Sequence, residues 1–244
     1  MGQTLYQLHD DDLAFPPLVY ALIEPNGLLA VGGDLSPQRL IKAYSEGIFP
    51  WFGENDPLMW WSPNPRAIIH LDNLRVNRTL RKLLNKSLYS VTLNQDFNRV
   101  INYCADAPFR DDDTWIVSDM QAAYNQLHQL GYAHSIEVWH HCDGDSPEKK
   151  ELVGGLYGVA INGFFSGESM FYTKSNASKF ALVALAKLLN TLGVNFIDCQ
   201  LLNPFLVDMG ATEITREEFV KQQHNAIMKV VPANFWHTRQ LTVT

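Results

Sequence analysis

The chain has 244 residues, of which 46% are hydrophobic and 18% are charged, and its net charge is −7. This length allows one large domain or two modest ones around a sizeable core. The negative charge argues against a general nucleic-acid binder, because phosphate contacts need positive charge; any such function must rest on a local basic patch. No apolar run reaches the ~18–20 residues of a membrane span, so we expect no membrane partner. Three widely spaced cysteines argue against a disulfide framework and for a reducing cytoplasm.

The first 65 residues differ from the rest in being rich in proline and tight turns. Within them, Ser36 and Pro37 predict a helix start, with Ser36 as N-cap, and Gly47 fits the end of that helix. We therefore predict an N-terminal domain over residues 1–65 and a second domain over residues 66–244.

Three tryptophans, Trp51, Trp60 and Trp61, fall within eleven residues of this N-terminal region. Such a cluster forms either the wall of a small core or a stacking surface for a base or an aromatic ligand. The sequence leaves both interpretations open.

A basic segment follows at residues 75–86 and contains no acidic residue. On a helix its cationic side chains fall largely on one side and its apolar side chains on the other. The pattern indicates either a solvated helix face or a strip of phosphate contacts. The cationic side chains are those of Arg75, Arg78, Arg81, Lys82 and Lys86.

From Tyr89 onwards, predicted strands alternate with predicted helices, which is typical of an α+β sheet domain. The predicted strands cover residues 90–93, 134–140 and 195–201. The predicted helices cover 96–105, 118–130 with Ser118 as N-cap, 175–192, and 216–227 with Thr215 as N-cap. We expect no metal site in the polar loop that holds His140, His141, Cys142, Asp143 and Asp145, because their spacing matches no known ligand arrangement.

Two apolar runs between Glu151 and Phe171 meet at Asn162-Gly163. This dipeptide predicts a β-hairpin turn, because both of its residues adopt positive φ at little cost. Glycines inside the two strands indicate bulges, or places where a ligand or another backbone comes close.

With that turn, regular pairing places Glu168 opposite Tyr157 and on the same face as Ser166 and Met170. A carboxylate within an otherwise apolar hairpin has two interpretations. It is solvated on a wet face of the sheet, or it is the charged anchor of a pocket floor.

Asp198 and Gln200 interrupt the predicted strand FIDCQL, and being two residues apart they share one face of it. Together with Glu168 they could orient an amine and assist its deprotonation. The alternative is a buried polar network that holds two strands together.

The chain as a whole resembles the leucyl/phenylalanyl-tRNA–protein transferase family, along nearly its full length. The strings that carry the resemblance are PNGLLAVGGDLSP (25–37), GIFPWF (47–52), WWSPNPRA (60–67), TWI (114–116), AHSIEVW (133–139), LVGGLYGVAI (152–161), FFSGESMF (164–171), NASK (176–179), DCQ (198–200) and NFW (234–236).

The resemblance implies an enzyme that takes Leu or Phe, less often Met, from aminoacyl-tRNA. It would attach this residue to the α-amine of proteins that begin with Arg or Lys, which marks them for degradation by the bacterial N-end rule pathway. The implied fold is a small family-specific N-terminal domain followed by a domain like that of GCN5-related N-acetyltransferases. No cofactor is expected, because an aminoacyl ester is already activated.

Carried over by motif, the expected catalytic residues are Asp198, Gln200 and Glu168. Trp51 and Trp115 are expected at the 3′-terminal adenosine, and the cationic residues Arg78, Arg81, Lys82 and Lys86 at the acceptor stem. The remaining expected substrate-binding residues are Tyr44, Tyr124, Leu156, Phe165, Met170 and Leu185. Leu156 and Leu185 depart from the Met and aromatic residue of a relative, which we expect to alter pocket shape and the Leu-to-Phe preference.

Two other functions remain open. An acyl-CoA-dependent N-acetyltransferase would share the implied fold, but no clear glycine-rich pyrophosphate loop opens a helix in this sequence. A non-catalytic tRNA-binding module would need the basic segment but not Asp198, Gln200 or Glu168.

Overall fold

A computed structural model describes residues 4–86, 88–106, 114–141 and 150–243. Its strands are β1 (Tyr6–Leu8), β2 (Leu28–Gly32), β3 (Phe49–Pro50), β4 (Met59–Trp61), β5 (Arg66–His70), β6 (Ser90–Leu93), β7 (Ala133–His141), β8 (Lys150–Ile161), β9 (Phe164–Tyr172), β10 (Phe196–Gln200), β11 (Thr212–Ile214) and β12 (Arg239–Leu241). Its helices are α1 (Pro37–Ser45), α2 (Arg78–Asn85), α3 (Phe97–Ala105), α4 (Ser118–Gln129), α5 (Ala177–Asn190), α6 (Pro204–Asp208) and α7 (Arg216–Ile227). The predicted mixed α+β architecture is confirmed.

The described strands form two sheets. Residues that precede Arg66 in the sequence form a four-stranded sheet in the order β1-β2-β4-β3. Residues from Arg66 onwards form an eight-stranded sheet in the order β11-β5-β10-β9-β8-β7-β6-β12. Strands β6 to β9 form an antiparallel meander, whereas β10 runs parallel to β9. The candidate site lies at this parallel junction.

The large sheet separates two apolar cores. On one face, which we call the α4 face, buried side chains of α1, α3, α4 and α7 pack together with those of the small sheet. On the other face, the α5 face, buried side chains of α2, α5 and α6 form a second core. Alternate residues of the central strands therefore reach different helices, because strand side chains alternate between faces.

The helix ends follow the predicted capping in most cases. The Ser36 and Thr215 side chains accept from the backbone N–H groups of Arg39 and Glu218, as expected for N-caps. Helix α4 differs, because its N-cap is Val117, whose carbonyl oxygen accepts from Gln121 at 3.0 Å, so the predicted cap Ser118 is wrong by one residue. The short helix α6 was not predicted.

The hairpin turns at Asn162, as predicted, and Ile161 pairs with Phe164. Asn162 has a φ of 51°, but Gly163 lies outside the left-handed region. Glycine is needed at position 163 for another reason. A Cβ there would lie 2.7 Å from the carbonyl oxygen of Ala226, at the end of α7.

A β-bulge changes the predicted register of β8 and β9. The pairing shifts between Tyr157 and Gly158, so that Tyr157 lies opposite Ser169 rather than opposite Glu168. Met170 consequently packs into the α5-face core, whereas Tyr157 belongs to the α4-face core. The predicted shared face of Glu168 and Met170 is therefore wrong, because the bulge adds one residue and reverses the alternation beyond it.

No helix in the described ranges is long and apolar enough to cross a membrane. The predicted loop residues Cys142, Asp143 and Asp145 lie outside the described part of the chain.

Candidate active site

The polar side chains of β9 and β10 meet where these two parallel strands touch. Their register pairing is confined to Ser166 and Asp198. Beyond that pair β10 has a register irregularity against β5, between Asp198 and Gln200. The two strands therefore share a single point of pairing, and the polar residues gather beside it.

Asp198 is fully buried and forms an ion pair with the buried Arg66 of β5. The guanidinium donates from Nε to Oδ1 at 2.8 Å and from Nη2 to Oδ2 at 2.7 Å, the two-pronged geometry that best matches a carboxylate. Its Cζ also lies 4.8 Å from the ring centre of Phe49 and 4.4 Å from that of Phe219. A buried charge needs such a partner, because an unpaired one is strongly destabilising.

The hydrogen-bond directions in this network are fixed by Asp198, because an ionised carboxylate can only accept. The Ser166 hydroxyl therefore donates to Asp198 Oδ2, at 3.1 Å, and accepts from Gln200 Nε2 at 2.7 Å. Gln200 Nε2 also lies 3.3 Å from Glu168 Oε1. The amide nitrogen of Gln200 thus points into the network, and its oxygen Oε1 has no hydrogen-bond partner among the described residues.

The backbone of Gln200 is strained. Four described residues other than glycine take a left-handed φ, and the other three are asparagines, which tolerate it; Gln200 has a φ of 57°. Such conformations cost roughly 1–3 kcal/mol and persist where surrounding contacts impose them. Here the Gln200 backbone N–H donates to Asp198 Oδ1 at 3.2 Å. The predicted proximity of Asp198 and Gln200 is present, but it arises from this local irregularity as well as from strand alternation.

Glu168 sits in the bulge of β9 and is held by two buried tyrosines. The Tyr124 hydroxyl of α4 donates to Glu168 Oε2 at 3.0 Å, and the hydroxyls of Tyr44 and Tyr124 are 2.6 Å apart. Because Tyr124 donates its proton to Glu168, Tyr44 donates to Tyr124. Burial raises the pKa of Glu168 to about 7, while the hydrogen bonds from the tyrosines act in the opposite direction. Burial and the Glu168 charge also raise the pKa values of both tyrosines, so both remain proton donors.

The four expected apolar substrate-binding residues lie on the other face of the sheet. Leu156, Phe165 and Leu185 are buried in the α5-face core, and Met170 packs against it. The structure thus brings the expected site residues into two groups. A polar group lies on the α4 face and an apolar group on the α5 face, on either side of β9.

Comparison with known proteins identifies the family. The model of "Leucyl/phenylalanyl-tRNA protein transferase" matches residues 68–224, and the model of its N-terminal domain matches residues 33–64. This chain belongs to the leucyl/phenylalanyl-tRNA–protein transferase family. Its members are aminoacyltransferases.

Curated relatives in this family match over most or all of their length. A leucyl/phenylalanyl-tRNA–protein transferase of Colwellia psychrerythraea is 66% identical over 243 residues, covering 100% of both chains. Proteins of the same name from Pseudoalteromonas translucida and Nitrosospira multiformis are 48% and 54% identical, covering 99% and 85% of this chain and 98% and 86% of their own.

The residues that the family resemblance assigns to tRNA lie on the surface or near it. Trp51 is 41% exposed and stands edge-on to Trp61, whereas Trp60 is fully buried. The tryptophan cluster thus contains both a core residue, Trp60, and a partly exposed ring, Trp51. Trp115 is half-buried just before α4.

The basic segment forms helix α2, with Leu80 and Leu84 buried against the α5-face core. Its cationic residues Arg78, Arg81, Lys82 and Lys86 are all exposed, and Arg75 precedes the helix. In the described ranges no acidic side chain forms an ion pair with any of them.

Sequence reasoning missed Arg66 and Ser166 as site residues. Both stand inside strings that carry the family resemblance, but an arginine at the start of a strand and a serine within one have no local signal of burial. The signal that could have found Arg66 is Asp198 itself, because a carboxylate inside an apolar strand requires a cationic or donor partner.

One described cleft does not coincide with this network. A cleft of about 610 Å³ lies between the small sheet and α4, and Asp34, Asp56 and Asp119 are among its lining residues. Neither Glu168 nor Gln200 lines it.

Proposed function

We propose that this protein transfers Leu or Phe, less often Met, from aminoacyl-tRNA to the α-amine of proteins that begin with Arg or Lys. Leu-tRNA and Phe-tRNA are then the donors. In bacteria the product is marked for degradation by the N-end rule pathway. Family membership supports the reaction class, and the Gln200 network carries the assignment of the site.

The network offers what an incoming amine requires. The free Oε1 of Gln200 accepts a hydrogen bond from the α-amine, and Gln200 is held in place because Ser166 and Asp198 fix its nitrogen. Glu168 lies 3.3 Å from the same amide and provides a negative charge for the cationic acceptor end. Asp198 and Arg66 orient this assembly without needing to exchange protons.

The chemistry requires little beyond such positioning. The neutral amine attacks the ester carbonyl carbon, an amide bond forms, and the ribose oxygen leaves with the proton that the amine loses. An α-amine has a pKa of about 7.7–8.0, so a useful fraction is neutral at cytoplasmic pH. Positioning of the reactants supplies roughly 7–11 kcal/mol of a barrier of this kind.

The apolar group on the α5 face is suited to the donor's amino-acid side chain. Leu156, Phe165, Met170 and Leu185 lie on the far side of β9 from Gln200, and the single-point pairing of β9 with β10 supports a passage between the two groups. The ester carbonyl then lies between the pocket and the amine. The leucines at positions 156 and 185 shape this pocket, and we expect them to affect the Leu-to-Phe preference.

The same proposal includes the domain organisation. The change of sheet at Arg66 supports an N-terminal domain over residues 1–65 and a catalytic domain over residues 66–244. The meander followed by a parallel strand that touches it at one point supports a fold of the GCN5-related N-acetyltransferase kind. The small number and wide spacing of the cysteines support a reducing, cytoplasmic location.

Helix α2 is the proposed contact for the tRNA acceptor stem, and Trp51 and Trp115 are the proposed contacts for the terminal adenosine. Lys82→Ala should weaken tRNA binding. It should also reduce the magnitude of the slope of log K against log salt concentration by about 0.7–0.9, because binding with one phosphate contact fewer releases fewer counterions. Lys221→Ala, an exposed lysine on α7, is the matched control and should leave the slope unchanged. Equal slopes for the two variants would contradict the assignment.

The deciding experiment is transfer of radiolabelled leucine from Leu-tRNA to a peptide that begins with Arg, beside the same peptide beginning with Ala. Transfer to the Arg peptide alone establishes the reaction and its acceptor rule. Bound tRNA without transfer to either peptide would favour a tRNA-binding module. Labelling by acetyl-CoA instead of Leu-tRNA would favour an N-acetyltransferase.

A further inference from the structure

Two paired glycines lie at the centre of the large sheet, on its α5 face. Register pairing aligns His134 of β7 with Gly158 of β8, and Gly158 with Gly167 of β9. A Cβ on Gly158 would lie 2.5 Å from the ring of Phe165 and 2.2 Å from the Ser166 carbonyl oxygen. The ring of Phe165 therefore lies across β8, in the space that a side chain at position 158 would occupy.

The ring of Phe165 is held in that space by Trp236, from the segment just before β12. The Trp236 ring stacks on Phe165, with 5.8 Å between centres and 29° between planes. Its other stacking partner is His134, at 4.0 Å and 6°. Phe165 is 1% exposed and fully enclosed, so its position depends on the groups that pack against it.

Hydrogen bonds with Asn94 hold the backbone at and after Trp236. Asn94 Nδ2 donates to the Trp236 carbonyl oxygen at 2.7 Å, and Thr238 Oγ1 donates to the Asn94 carbonyl oxygen at 3.0 Å. Three residues after Trp236, β12 pairs with β6. These contacts tie the backbone that carries the indole ring to the sheet through β6 and β12.

The stack does not respond to pH near neutrality. His134 is buried, and burial lowers its pKa to about 3, so its ring is neutral. Asn94 Nδ2 lies 2.9 Å from His134 Nδ1, and since Nδ2 can only donate, Nδ1 is the accepting nitrogen. The His134 ring is a fixed, uncharged platform beneath Trp236.

We propose that Trp236 is a specificity-determining positioning residue, which sets the place of Phe165 and thereby the depth of the apolar pocket for the donor's amino-acid side chain. This inference rests on the proposed function, because it assigns Phe165 to that pocket. Trp236 acts through Phe165: removal of the indole frees the phenyl ring to move towards the vacated space. The pocket then deepens, which favours the larger donor side chain.

The test is Trp236→Leu in the full chain, with kcat/KM measured for Leu-tRNA and for Phe-tRNA on the same Arg peptide. We expect the Phe-to-Leu ratio to rise by about 10-fold or more, since one methylene group in an apolar pocket discriminates by about 10–200-fold. Phe235→Leu is the matched control. Phe235 is buried and touches Trp236 edge-on at 5.0 Å, so its loss should lower stability without changing the ratio.

A double variant separates positioning from general loosening. Phe165→Leu with Trp236→Leu should show the same ratio as Phe165→Leu alone, if Trp236 acts on the pocket through Phe165. If Trp236→Leu does not fold, Trp236→Phe keeps a stacking ring, and it should shift the ratio in the same direction by a smaller factor. A ratio within twofold of the unsubstituted protein in the folded Trp236 variant overturns the inference. Absence of transfer by the unsubstituted protein overturns the proposed function instead.

Discussion

Two buried carboxylates in the large sheet are stabilised by different kinds of partner. Asp198 of β10 and Glu137 of β7 are both fully buried. Asp198 receives a two-pronged ion pair from Arg66, whereas Glu137 accepts from neutral donors, namely the hydroxyls of Thr92 and Ser135 and the backbone N–H groups of Gln95 and Asp96. Burial raises the pKa of Glu137, and its hydrogen bonds act against that rise.

The difference lies in where each network ends. The donors to Glu137 close around it and tie down the turn that begins α3, so this network is complete within the protein. The network of Asp198 continues through Ser166 to Gln200, whose Oε1 remains available. We infer that a buried carboxylate whose network closes on itself supports the fold, and one whose network leads to an accessible amide oxygen supports chemistry.

The largest expected effect comes from removing the cationic partner, which Asp198 has and Glu137 lacks. Arg66→Ala should lower the free energy of unfolding by about 3–5 kcal/mol, because it leaves a buried charge unpaired. Denaturant unfolding measures this. Arg216→Ala is the control: it removes a half-buried arginine that donates to the Ser62 carbonyl oxygen, and it should cost about 1 kcal/mol. Similar losses for the two variants would mean that the ion pair is not needed.

The next largest effect concerns the open end of the Asp198 network. Gln200→Ala should lower kcat about 10²–10³-fold, the usual cost of one positioned hydrogen-bonding group, with unchanged affinity for tRNA. Single-turnover transfer and a filter-binding assay give the two values. If turnover and tRNA affinity fall together, Gln200 is not a catalytic residue.

The closed network should behave differently. Glu137→Gln should lower the free energy of unfolding by about 1–3 kcal/mol, since the new amide leaves one of the hydroxyl or N–H donors unsatisfied. The rate of transfer by the folded variant should stay within twofold of the unsubstituted protein. A large loss of transfer in a stable Glu137→Gln protein would contradict the division between the two networks.

The smallest effect depends on pH and belongs to Glu168. Its pKa is about 7 in the folded protein against an ordinary 4.5, so its contribution to stability is fully present below pH 4.5 and is lost as the pH rises through 7. Glu168→Gln removes this dependence. We therefore expect the variant to gain about 1–2 kcal/mol over the unsubstituted protein at pH 8, with little difference at pH 4.5, measured by thermal unfolding.

The same variant tests the role of the charge in acceptor binding. In the unsubstituted protein, transfer to the Arg peptide should rise between pH 6 and 8, as Glu168 ionises, by more than the titration of the amine explains. A pH profile of Glu168→Gln that matches the unsubstituted one would show that this carboxylate does not hold the acceptor.

The sequence predicted the elements that local patterns specify. The turn at Asn162, the N-caps at Ser36 and Thr215, and the amphipathic helix α2 all follow from short-range signals. The interruption of β10 by Asp198 and Gln200 also pointed to the place where the network forms. Glu168 had two interpretations, a solvated side chain on a wet face or the anchor of a pocket floor. In the structure its carboxylate is hydrogen-bonded to Tyr124 and Gln200, which does not fit the solvated interpretation.

What could not be predicted depends on contacts between distant parts of the chain. The bulge at Tyr157 and Gly158 arises where Phe165 folds across β8, and no alternation of apolar residues encodes it. Arg66 lies 132 residues from Asp198, and its burial depends on Phe49 and Phe219 from separate elements. Such long-range partners leave no periodic trace in the sequence.

The strained backbone at Gln200 has a consequence for protein engineering. Asparagine would suit a φ of 57° better and would carry the same amide, but it is one methylene shorter and would not span the 2.7 Å contact to Ser166 from the same backbone. A stabilisation design guided by backbone preference would therefore replace the residue on which the proposed reaction depends. Position 200 should be held fixed in any such design, and libraries selected for heat resistance should be screened for transfer at the same time.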